Sequence, residues 1–118
     1  MSRYYHVTRS FEETISIHNE GLKASHDGYI YLLTRKDIAA YVAAYQLFVT
    51  KDYGVMHIDP KGITGSIEPD NVGELTAIYQ KRVKQELIKP EFITTWKMFS
   101  FIRDPFTFNK EIPERAVR

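Results

Sequence analysis

The opening third of the chain changes its hydrophobic period twice. Residues 4–8, YYHVT, are aromatic and β-branched on both sides of His6, the composition of a strand. Ser10 then begins SFEE, in which a Ser and a Glu three residues apart can satisfy helix N-terminal donors reciprocally. Phe11, Ile15 and Leu22 follow on one side of a 3.6-residue helix, His18 lies near that stripe, and Gly21 stands where the helix should stop. SHDG reads as a turn and YIYLLT as a short apolar strand. Thr34 with Asp37 repeats the capping pattern, and Ile38, Tyr41, Val42, Tyr45 and Val49 recur at helical spacing, which predicts a second helix.

Alternation returns in YGVMHID, closed by the DPKG turn, and ITGSIEPDNVG is dense enough in turn formers to read as a loop. ELTAIYQKRV resumes strand character, with Leu75, Ala77 and Tyr79 on one face, and ELIKPEFI reads as one more short strand with Pro90 at its edge or exit. Beyond Trp96 come Phe99, Phe101, Phe106 and Phe108, more aromatic surface than water tolerates, so this tail is expected to pack on the domain or on a partner, with an oligomer through it left open. The end, NKEIPERAVR, is expected to fray. The predicted organisation is a domain over 1–95 and an aromatic C-terminal tail over 96–118. Its class is α+β, two helices on a sheet that is mostly antiparallel.

Composition narrows the classes. A chain of 118 residues that is 43% hydrophobic and 26% charged can bury a core without a metal or disulfide. With no cysteine, thiolate nucleophiles and zinc-cysteine sites are excluded. A net charge of +1 gives no general attraction to nucleic acid or lipid. MSRYYHV lacks the apolar stretch of a signal peptide and no run is long enough to span a bilayer, so a cytoplasmic protein without membrane contact is expected. The four histidines lie on different predicted elements with no H-x-x-x-H pair, which argues against a metal site. Phosphate-cradling glycine loops and nucleophile elbows are missing. The basic run QKRVKQ reads as a charged, solvated edge strand in preference to a phosphate groove built on Lys81, Arg82 and Lys84.

The succession YYHVTRSFEETISIHNEGL, GYIYLLTRKDIAAYVAAY, GVMHIDPKGI and IYQKRVKQELIKPEFI resembles the ADP-ribosyltransferase family, in particular its small bacterial and phage members, over about residues 4–93. The order of the short motifs carries the likeness. It implies a split, mostly antiparallel sheet holding NAD, as co-substrate, in a cleft between two halves. By motif, His6 would hydrogen-bond a ribose hydroxyl of NAD, the backbone of Val7 would face the carboxamide, Thr8 would adjoin it, and Tyr31 would stack on nicotinamide with Tyr29 as the alternative register. The third member of the His-Tyr-Glu/Gln triad falls on Gln80, upstream of the KPEFI exit, with Glu74 and Glu86 as the carboxylates of other registers. The resemblance implies transfer of ADP-ribose to a protein, nucleic-acid or small-molecule acceptor, as a toxin or phage-encoded modifier would perform. A catalytically silent NAD- or ADP-ribose-binding or protein-interaction module is the alternative, because a glutamine hydrogen-bonds a hydroxyl but brings no negative charge to a sugar cation.

Overall fold

A computed structural model describes residues 3–70, 77–101 and 109–112. β1 (Tyr4–Thr8) hands over to α1 (Phe11–Glu20) through Ser10, whose backbone is extended and whose Oγ accepts from the Glu13 N–H at 3.0 Å. Glu13 reaches back to accept from the Arg9 N–H at 2.6 Å, so the box closes one residue earlier than the standard pattern. Gly21 ends the helix at φ 95°, donating to the Ile17 carbonyl at 2.8 Å. A Cβ there would sit 2.6 Å from the Ile88 carbonyl oxygen. The residues α1 buries are Thr14 and Ile17, while Phe11 and Ile15 are half-buried.

The remaining strands are β2 (Leu22–Lys23), β3 (Tyr29–Leu33), β4 (Asp52–Ile58), β5 (Ile67–Pro69), β6 (Gln80–Lys84), β7 (Leu87–Ile88), β8 (Ile93–Phe101) and β9 (Asn109–Ile112). Seven form one sheet in the order β5-β6-β3-β1-β4-β8-β9, β2 and β7 form a small ribbon, and every pairing is antiparallel. The class is α+β.

Three expectations change. The run QKRVKQ is not an edge: β6 lies between β3 and β5, a strand drawn from the expected loop, with Val83 fully buried. The extended run expected upstream of Gln80 is a 3₁₀ turn over Ala77–Tyr79, and its first part lies outside the described residues. The position at which the tail was expected to begin, 96, falls inside β8, where Phe99 and Phe101 pack on Tyr53 with ring centroids 5.5 and 5.1 Å apart. Phe106 and Phe108 lie outside the described residues.

The second helix is also less regular than its spacing predicts. It runs as a 3₁₀ turn (Lys36–Ile38), a single α turn, α2 (Ala39–Tyr41), and a π turn (Val42–Gln46), and Val49 lies beyond it. Thr34 does not cap it, because tertiary structure claims this residue first. Its N–H donates to the Tyr79 carbonyl at 2.9 Å and its hydroxyl to the same oxygen at 3.3 Å.

Alternation along the strands separates two cores. Ile17, Leu22, Ile30, Leu32, Met56, Ile58, Val83, Ile88 and Ile93 pack beneath α1. Val7, Leu33, Ala39, Val42, Ala43, Tyr53 and Val55 pack beneath the second helical segment on the opposite face. Each fully buried Val, Leu, Ile or Met side chain among these contributes on the order of 1.5–3 kcal/mol.

The sheet is weakest at its centre. Between β1 and β3 only Tyr5 and Leu33 are bridged, against five bridged pairs between β1 and β4 and five between β3 and β6. The two halves part just beyond that pair.

Candidate functional site in the sheet cleft

Parting strands leave backbone groups without a ladder partner, and His6 satisfies one of them. Its Nδ1 lies 2.9 Å from the Tyr31 carbonyl oxygen. A carbonyl can only accept, so the proton is on Nδ1 and the neutral ring presents Nε2 as a lone-pair acceptor. Burial is the largest influence on this imidazole and holds its pKa below the usual histidine value, against the opposing pull of the Tyr31 carbonyl and the Glu13 charge. The ring therefore sits at the fork of the sheet as a neutral, oriented acceptor.

A cavity of about 820 Å³ opens at this fork, within the range of sites that enclose sizeable organic ligands. His6, Val7, Tyr31 and Gln80 all line it, so β1, β3 and β6 bring together four residues singled out from the sequence. Tyr5 opposite Leu33 sets the register, and period-two alternation then puts Val7 and Tyr31 on the same face. Gln80, the partner of Leu33 on the other side, shares that face too.

Tyr31 is held through its hydroxyl, which donates to the Asp27 carboxylate. That bond is the main cause of two opposite shifts, lowering the pKa of Asp27 and raising that of Tyr31. The ring is thus fixed by the turn that precedes its own strand. Gln80 is buried and exchanges two amide hydrogen bonds with Gln46 of the π turn, at 3.0 and 2.7 Å. The wider turn of the π segment brings Gln46 and Leu47 to the cavity wall, a use to which such insertions are often put.

The other candidates lie elsewhere. Thr8 does not line the cavity: it is fully buried, and its hydroxyl accepts from the Gly54 N–H at 2.9 Å and lies 2.6 Å from the Thr14 hydroxyl. Tyr29 is outside the wall as well, with the Arg82 guanidinium 4.3 Å and the Lys84 ammonium 5.1 Å from its ring centre. Glu86 is exposed in the β6–β7 turn, and Glu74 lies outside the described residues. Arg82 is occupied by Glu68, at 2.9 and 2.8 Å, which accounts for this member of the basic run without a phosphate.

Several polar residues of the wall were not singled out from the sequence, among them Glu13, Gln46 and Asp70. There Glu13 belongs to the capping box, Gln46 falls within the predicted second helix, and Asp70 within a run dense in turn formers. No local signal distinguishes them, since each reaches the cavity only through tertiary packing.

Among the described residues, no three His, Asp or Glu side chains gather as a metal site requires, and no helix is long and apolar enough to cross a membrane. A scan against protein-family models and a search of curated proteins gave no significant match to the chain.

Proposed function

We propose that the protein is an NAD-dependent ADP-ribosyltransferase with an ADP-ribosyltransferase-like split sheet, its cleft formed by His6, Val7, Tyr31 and Gln80. The observation that carries this reading is the parting of β1 from β3, with His6 tied to the Tyr31 carbonyl at the head of the cavity. Nε2 accepts a ribose hydroxyl, the Tyr31 ring stacks on nicotinamide, and the Val7 backbone meets the carboxamide. Holding both ends of the glycosidic bond in one orientation lowers the barrier by positioning. The acceptor is a protein, a nucleic acid or a small molecule, and an enzyme of this type serves as a toxin or a phage-encoded modifier acting in the cytoplasm.

Incubation with labelled NAD and a cell lysate tests the proposal, alongside a His6→Ala, Tyr31→Ala double variant, with nicotinamide release and label transfer both followed. Release and transfer that vanish in the variant support it. A wild type that neither binds nor cleaves NAD overturns it.

The buried Gln46–Gln80 amide pair favours a second reading, a silent module that binds NAD or ADP-ribose. Gln80→Glu separates the two. In a transferase the added charge raises nicotinamide release, by up to ~10²-fold where no other carboxylate serves the sugar cation, and in a pure binder it changes nothing.

A further inference from the structure

The charged residues on the cavity wall are Arg9, Glu13, Lys23 and Asp70. Arg9 and Glu13 are joined through the backbone bond at 2.6 Å and a side-chain approach of 4.0 Å, and Lys23 pairs with Glu20 at 3.0 Å. Asp70 differs. It is half-buried, its N–H donates to the Gln80 carbonyl at 3.0 Å, and its carboxylate makes no hydrogen bond or ion pair with any described residue. The cation whose charge acts on it, Arg82, is already held by Glu68, and Tyr31 is already held by Asp27. Partial burial pushes the pKa of this carboxylate up, with Arg82 opposing and Asp27 assisting. A carboxylate on a cavity wall that no cation among the described residues pairs with is available to positive charge arising there.

Resting on the NAD reading above, we infer that Asp70 supplies the negative charge that Gln80 lacks, facing the ribose of the nicotinamide half across the cleft from His6. In the reaction the C1′–N bond breaks and both electrons pass to the ring nitrogen, so nicotinamide leaves neutral and the positive charge moves to the sugar. The Asp70 carboxylate stabilises that charge. The acceptor then forms its bond to C1′ through a lone pair, and its proton passes to the carboxylate and on to solvent. Water as acceptor yields free ADP-ribose. Gln80 retains the orienting hydrogen bonds, so the two tasks of one glutamate are divided between adjacent positions on β6 and the end of β5.

The test is steady-state nicotinamide release by the full chain and by Asp70→Asn and Asp70→Glu, with NAD binding by calorimetry and the thermal midpoint measured for each. Asp70→Asn is expected to lose about 10²-fold in kcat, with KM within threefold and the midpoint unchanged, and Asp70→Glu to recover part of the loss. An Asn variant that cleaves NAD like wild type overturns it, as does one that raises only KM. A wild type that binds NAD without cleaving it overturns the catalytic role of Asp70 while sparing the NAD site. A wild type that does not bind NAD overturns both.

Discussion

Replacing Thr8 with Val tests whether this residue serves the fold or the ligand. The site is fully buried and the exchange conserves shape, substituting a methyl group for the hydroxyl. The surrounding bonds form one chain: the Gly54 N–H donates to Thr8, Thr8 donates to Thr14, and Thr14 donates to the Ser10 carbonyl at 2.9 Å. Valine ends the chain at its second link and leaves the Gly54 N–H without an acceptor. A stranded buried donor costs about 1–3 kcal/mol, the lost Thr–Thr bond about 1 more, and the buried methyl returns about 0.8. The expected net loss is about 2 kcal/mol, or a fall of ~8 °C in Tm for a domain of this size. Urea unfolding followed by fluorescence of Trp96 measures it, with an unchanged m-value as the control. NAD affinity, measured well below the transition, should stay as in wild type. A variant of wild-type stability that has lost NAD binding would refute the reasoning and return Thr8 to the ligand.

Gly54→Ala should be at least as damaging, since its Cβ would lie 2.5 Å from both threonine hydroxyls and 3.1 Å from the Met98 sulfur; wild-type Tm in this variant would contradict the packing. His6 has a folded pKa below its unfolded value of 6.5, so the unfolded chain binds more protons in that window. Its contribution is complete above pH 6.5 and is lost as the pH falls toward the folded pKa. His57 acts in the same direction through its own burial. Urea midpoints should therefore fall between pH 8 and pH 5, and His6→Asn should flatten part of that slope. Asp27→Ala removes the main cause of the raised Tyr31 pKa, so ultraviolet titration of the variant should show one tyrosine moving back toward 10, and an unchanged titration would place the hydroxyl elsewhere.

Local chemistry carried much of the architecture. The Ser10 cap, the Gly21 stop, the strand over residues 4–8 and the apolar run of β3 rest on interactions spanning a few residues, so period and capping residues suffice to read them. His6, Val7, Tyr31 and Gln80 were legible as candidates because their motifs follow one another in a definite order. Their meeting at one cavity was implied by the resemblance and not by spacing or periodicity, because it depends on β1 and β3 diverging after a single bridged pair.

Only the tertiary structure decided the rest. Thr34 looks like a helix cap until Tyr79, 45 residues away, takes both of its donors. Thr14 looks like a solvated helix position until Thr8 and Gly54 enclose it. The run from Lys81 looks like a charged edge until β5, a strand of three residues, pairs with Lys81 to Val83 and Glu68 takes Arg82. In each case a polar side chain meets its partner across the fold, and hydrophobic periodicity carries no record of which polar groups will be buried together. Asp70 belongs to the same class: in the sequence it is a turn residue in EPDN, and its place on the cavity wall comes from the parted sheet.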